Sequence, residues 1–176
     1  MLPDSFAAIT RSQMDASLTM LRHAIQSCTN ARWKRPVGVW PFWLVVYHTL
    51  CYVDCYSAPS NRAWKPHPVF HPKGRKELQD EYPSRGFTRE EMLDYLDLCR
   101  GRFFAAVERE TPTSLRRASG FSWLRFTRAE LHLYNVRHAA HHTGQLTAAL
   151  RKSGAKVGWV KAEKPPSAPI QARSPP

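Results

Sequence analysis

Acidic residues are scarce in this chain: 14 Asp and Glu stand against 26 Lys and Arg, a formal net charge of +12 over 176 residues. Cysteine is scarce too, with four residues and no Cys-x-x-Cys pair. That spacing excludes a zinc ribbon or a dithiol redox motif. Cys28, Cys51, Cys55 and Cys99 fall in predicted helices, which predicts free, buried thiols in a reducing compartment. A secretory leader is not visible either, since Asp4 and Asp15 interrupt the first stretch. The expected location is therefore the cytoplasm. No apolar run reaches the ~20 residues that span a bilayer. The longest, Val37 to Val53, is broken by Pro41 and His48. No repeat at a solenoid period, RNP motif or zinc finger is present.

What is there is apolar bulk in helical periodicity. Six Trp, six Tyr and eight Phe supply a core for one domain. The first predicted helix runs from Asp4 or Ser5 to about Cys28, with Leu18, Leu21, Ile25 and Cys28 as a bundle seam. The second begins near Pro41, where proline is tolerated in the first turn, and runs to about Ser57. Ala58 to Phe87 is a Pro-rich connection with a short turn expected near Gly74 to Glu81; a loop this long is usually functional or mobile. The third helix opens on a capping box, Thr88 with Glu91, and carries the stripe Met92, Leu96, Cys99, Phe103 and Val107. The fourth opens on a second box, Thr127 with Glu130, and ends near Ser153 before Gly154. These elements predict an all-α, four-helix bundle over residues 1–160 with a long crossover loop between helices 2 and 3. Residues 161–176, basic and Pro-rich, predict a disordered tail.

The chemistry concentrates in the run from Tyr134 to Leu146. His138 and His142 are four residues apart, so a helix places them roughly 5–6 Å from each other at Cβ on one face. Leu131, Tyr134, Gln145 and Ala149 share that face, which predicts that it points into the bundle. His48 is a third histidine in a strongly apolar helix, where a bare imidazole is costly. A core histidine is usually satisfied by hydrogen bonds. Two at i and i+4 with a third on another core helix point instead to one metal with an open coordination position. A protease resemblance through His-x-x-x-His fails, because the general-base Glu after the first histidine is Ala139 here. His141 lies on the flank of the face. Cys51, one turn from His48, is a candidate fourth ligand. His67 and His71 lie in a Pro-interrupted loop and read as loop residues; His23 and His132 read as surface or boundary residues.

The basic excess lies in Arg100 to Arg128 and in Ser60 to Arg89. It admits a nucleic-acid footprint, but no recognition element supports one. An anionic small molecule is the other candidate partner.

Three segments carry a family resemblance: Ser17 to Arg22 with Trp33; Pro41 to Leu50 around His48; and Asn135 to Leu146, followed by Gly158-Trp159. Together they resemble the DinB-like superfamily of metal-binding four-helix bundles, which includes the YfiT-type proteins. The resemblance implies a divalent metal, zinc or nickel, held by His48, His138 and His142, with water in the remaining positions. It also implies dimerisation, and a metal-dependent transferase, hydrolase or isomerase acting on small molecules with a low-molecular-weight thiol. In that setting Tyr134 and Gln145, one turn either side of the histidines, are candidates to donate hydrogen bonds to substrate. Asp54 and Glu130 are candidates to orient an imidazole, against capping for Glu130 and the wrong face for Asp54. A metal-binding stress protein without catalysis is the rival reading; it predicts a closed site with a fourth protein ligand.

Overall fold

The computed structural model describes residues 5–78 and 83–162. Four long helices make the body: α1 (Phe6–Ser27), α3 (Phe42–Ser57), α4 (Arg89–Glu108) and α6 (Arg128–Arg151). Between them lie two single-turn helices, α2 (Asn30–Trp33) and α5 (Pro112–Leu115), and a hairpin of β1 (Pro36–Val37) and β2 (Trp40–Pro41). α1 packs on α4 and α6, and α3 packs on the same two, closing a four-sided bundle.

The predicted starts hold because they are local. Thr88 and Glu91 exchange both capping bonds, as do Thr127 and Glu130, satisfying donors that the first turn leaves open. Ser5 caps α1. Leu18, Leu21, Ile25 and Cys28 are buried, as is the whole α4 stripe from Met92 to Val107. All four cysteines are free and buried. Gly154 turns the chain out of α6 at φ +84°, and the helix ends at Arg151, two residues earlier than predicted.

Several features were not foreseen, among them the single-turn α2. The hairpin turns at Gly38 (φ +66°), a backbone state that favours glycine. Pro112 starts a new turn, with Thr111 as its cap. The long connection is well packed where it is described: Trp64, Phe70, His71 and Phe87 are buried in the core, and Gly74–Leu78 forms a 3-10 turn. The predicted turn reaches residues 79–81, which lie outside the described residues, as does the tail from residue 163. Among the described residues no helix is long and apolar enough to cross a membrane.

Many of the arginines have structural partners. Arg100 pairs with Asp15 at 2.9 Å, Arg102 with Asp54 at 2.7 Å and Arg128 with Glu110 at 2.7 Å. Arg11 and Arg22 of α1 bridge to Glu108 and Asp97 of α4.

Candidate metal centre

Beyond Arg128 in its first turn, the buried arc of α6 consists of Leu131, His132, Asn135, Ala139, Thr143, Leu146, Thr147 and Leu150. It is centred about one residue, or 100°, round from His138. His138 and His142 therefore sit at the edge of the buried arc and are half-buried. The predicted inward face is corrected by that rotation. The reason is composition: Asn135, Ala139 and Thr143, at the centre of the buried arc, are polar or small, so hydropathy does not single them out as inward.

The edge position brings the histidines together across α3 and α6. Ligand nitrogens of His48, His138 and His142 all lie within 4.8 Å of one another. His48 Nε2 and His138 Nε2 face each other at 3.4 Å. Two nitrogens sharing a tetrahedral ion at about 2.0–2.1 Å stand about 3.4 Å apart. Burial drives His48 down to about 4, with the neighbouring His142 adding to it. Burial, then the charges of His142, His48 and His141, drives His138 to about 3. His142 is lowered by burial as well, opposed by its bond to Gln145. At neutral pH the rings carry lone pairs, the form that binds metal. His142 Nδ1–H donates to Gln145 Oε1 at 2.9 Å, which leaves the lone pair on Nε2. His138 Nδ1 is buried with no hydrogen-bond partner among the described residues. A converging set of neutral imidazoles with facing ring nitrogens fits a divalent ion.

The triad opens onto a cavity of about 530 Å³ between α3, the hairpin and the 3-10 turn, with His48, His142 and Gln145 in its wall. Cys51 also lines the cavity, but it is not part of the three-histidine cluster, and burial holds its thiol well above the usual range. His141 is exposed, bonds Gln145 Nε2 at 3.1 Å and stays outside the cluster.

A family model for the DinB superfamily matches residues 13–146, a span that contains all three histidines. The chain belongs to the DinB superfamily. No curated protein and no solved structure matches it. The DinB match runs from within α1 to within α6, so it takes in α3 and α4 whole and most of α1 and α6.

The other predicted residues are spread out. Tyr134 packs on Tyr56 and Phe126 with ring centroids 5.6 Å away in each case, and it does not line the cavity. Glu130 serves its capping box. Asp54 is off the His48 face: it accepts from Arg102 Nη1 at 2.7 and 2.9 Å and from Trp64 Nε1 at 3.0 Å. His132, read as a boundary residue, is fully buried. Its Nε2 lies 2.9 Å from Glu110 Oε1, a partner that only the tertiary fold supplies. His23 is exposed, as predicted.

A second polar cluster was missed. His71 is buried; its Nδ1 is 2.8 Å from Tyr47 Oη and its Nε2 is 2.6 Å from Tyr95 Oη. Tyr95 Oη–H lies 3.4 Å from Asp54 Oδ2, and Tyr47 and Glu77 reach the cavity wall at the other end. Burial drives His71 to about 4 against the pull of Asp54 and Glu77. The one sequence signal was an i, i+4 histidine pair in a loop, which said nothing about partners.

Proposed function

We propose that this DinB-superfamily protein is a metal-dependent enzyme of the transferase or hydrolase type acting on small molecules. The observation that carries the reading is the convergence of His48, His138 and His142 beside a ligand-sized cavity whose wall includes His48 and His142. Zinc or nickel suits three neutral imidazoles. Three protein ligands, with no fourth in the cluster among the described residues, favour catalysis over a closed storage site. When bound, such an ion supplies a Lewis acid and lowers the pKa of a water or thiol.

The chain's own residues do the rest. His48 and His138 supply lone pairs from facing helices. Gln145 holds the His142 tautomer and, at the cavity wall, offers substrate a hydrogen bond. Tyr134 maintains the aromatic wall beside His138 through Tyr56 and Phe126. Leu44, Val45 and Trp40 line the cavity, which limits competing water. A thiol co-substrate with carboxylate groups has a place beside the cavity. An adjoining groove of about 490 Å³ shares Val37, Gly38 and Gln145 with it and carries Arg32 and Lys152.

The test is metal content per chain, by mass spectrometry, for the wild type and for His138→Ala/His142→Ala. About one zinc or nickel in the wild type and none in the double variant is the expected result for a three-histidine site. No metal in the wild type after incubation with either ion overturns the reading. Given metal, turnover of esters and of thiol-acceptor pairs with glutathione, mycothiol or bacillithiol, lost in His142→Ala, separates the enzyme from a metal-binding stress protein.

A further inference from the structure

The basic side chains fall into two groups. Along the body of the bundle they are engaged by carboxylates: Arg22 by Asp97, Arg100 by Asp15 and Arg102 by Asp54. The end where α3 and α4 finish and α6 begins is different. There Arg62, Lys65, Arg109, Arg116, Arg117 and Arg125 are exposed, and among the described residues none has a carboxylate partner. The acids of the same segments are already occupied. Asp54 is held by Arg102, Glu108 by Arg11 and Glu110 by Arg128. Glu130 has no cation, and its Oε2 closes the capping box of α6.

Two loops carry the six cations, and the fold ties those loops together. Asn61 N donates to Gly120 O at 3.2 Å, and Arg128 Nη1 donates to Ala58 O at 2.7 Å. Gly120 has φ +87°, and a Cβ there would collide with the carbonyl oxygen of Pro59. Glycine is what permits that approach. Lys65 and Arg109 share the walls of a groove of about 260 Å³. The loop before α6 is held by its own bonds: Arg128 N to Arg117 O at 2.8 Å, Ser119 N to Phe126 O at 2.9 Å and Ser119 Oγ to Leu124 O at 2.7 Å. The result is a fixed surface of one charge, which attracts a polyanion.

Trp123 indicates which polyanion. It sits in the same loop and is 49 % exposed. Its ring lies at a steep angle to Phe121, centroids 5.4 Å apart, and its Nε1 is 3.5 Å from Tyr56 Oη. Within residues 58–65 and 109–126 it is the one large hydrophobic side chain that is exposed. A lipid surface is gripped by buried apolar area as well as by charge, and one ring among six cations offers little of it. A strand whose phosphates meet the cations and whose base stacks on the ring fits better. All but one of the six are arginines, whose paired donors match phosphate oxygens. Stacking on a side chain needs an unpaired base, so the strand is single, and it needs no helix to enter a groove.

We propose that this end of the bundle binds single-stranded nucleic acid, with phosphates on the six cations and a base against Trp123. None of these seven side chains belongs to the histidine cluster or lines its cavity, so binding needs no metal.

The experiment is fluorescence anisotropy of a labelled oligothymidylate of about 15 nucleotides with the full, metal-free chain. A dissociation constant of about micromolar at about 50 mM salt is expected. Each phosphate contact on a single strand contributes about −0.7 to the log–log salt slope, so six predict about −4. Arg116→Gln/Arg117→Gln should flatten the slope by about 1.4. Trp123→Ala should weaken binding about ten-fold, and Trp123→Phe should keep it. Lys34→Gln/Arg35→Gln removes the same charge from exposed residues at the opposite end and should leave the slope unchanged. No binding at low salt, an equal loss in the Lys34/Arg35 variant, or indifference to Trp123→Ala overturns the proposal. Equal affinity for a duplex of the same length overturns it too, and so does displacement of the oligonucleotide by phosphatidylserine vesicles, which assigns the surface to lipid. If Trp123→Ala does not fold by circular dichroism, crosslinking of the wild type to a bromodeoxyuridine strand decides. Attachment within residues 58–65 or 109–126 supports the proposal, and attachment elsewhere overturns it.

Discussion

The same side chain is put to opposite uses at two places on α3. At one, His48 meets His138 and His142 at a cavity wall, half-buried, with ring nitrogens turned toward one another. At the other, one residue earlier in the chain, Tyr47 meets His71, whose two nitrogens each have a hydroxyl partner. In the first set Nδ1 of His138 has no partner among the described residues; in the second both nitrogens of His71 have one. Buried polar groups in a finished core are satisfied by the protein itself. Polar groups that converge without partners at a cavity wall are placed for something that is not protein. Both sets consist of neutral imidazoles, so protonation state does not separate them; what separates them is the second atom on each ring nitrogen.

The contrast breaks most visibly at Arg102. This residue is the cation for Asp54, whose carboxylate is fully buried and ties Trp64 and Tyr95 to the His71 cluster. Removing one partner of a buried pair leaves an uncompensated charge and costs about 3–5 kcal/mol. Arg102→Ala is expected to lower unfolding free energy by that order in urea titrations. Metal content per chain should be unchanged, because Arg102 touches none of the three histidines. If metal is lost while the fold survives, the two sets are not separable.

A slightly smaller effect comes from acid. The folded pKa of His71 is lowered to about 4, and an unfolded histidine titrates near 6.5. Between those values the unfolded chain binds the extra proton, so stability rises with pH. The contribution of neutral His71 is complete above about pH 6.5, is lost as pH falls toward 4, and amounts to about 3 kcal/mol at most. His71→Gln removes this dependence. The stability gap between the wild type and His71→Gln, taken with metal absent in both, should narrow by about 2 kcal/mol from neutral pH to about pH 5. A gap that stays constant means that His71 is not held neutral by its burial.

The two sets were also unequally legible in the sequence. His138 and His142 are four apart on one helix, and His48 interrupts an apolar run, so pattern alone singled them out. The capping boxes at Thr88 and Thr127 were legible for the same reason: every partner lies within three residues. The His71 cluster joins residues 24 apart on each side, and Tyr95 to Asp54 spans 41. No periodicity encodes such pairings in a Pro-rich loop. His132 was misread because Glu110 reaches it across a turn from 22 residues away. The orientation of α6 differs from the expected one because its buried arc is centred on Asn135, Ala139 and Thr143, which are polar or small and carry little hydropathy signal. What helix periodicity conveys is which residues share a face; which face turns inward depends on neighbours that the sequence does not order.

Gln145 gives the finest test, because it belongs to the open set and is the only side chain seen bonding to one of its rings from outside the triad among the described residues. Its Oε1 accepts from His142 Nδ1, which selects the tautomer with the lone pair on Nε2. Without that acceptor the ring can turn and its proton can sit on either nitrogen. Outer partners of this kind are worth about ten- to a hundred-fold in metal affinity. Gln145→Ala is therefore expected to weaken zinc binding by about that factor in competition with a chelator. Gln145 is exposed, so unfolding free energy should change by no more than about 0.5 kcal/mol. Gln145→Glu keeps an acceptor at the same reach and should retain the affinity. Ring-nitrogen NMR of the metal-free protein checks the cause separately: His142 should hold its proton on Nδ1 in the wild type and in Gln145→Glu, and should show both tautomers in Gln145→Ala. If affinity falls equally in both variants, Gln145 acts through its contact with the cavity and not through the His142 tautomer.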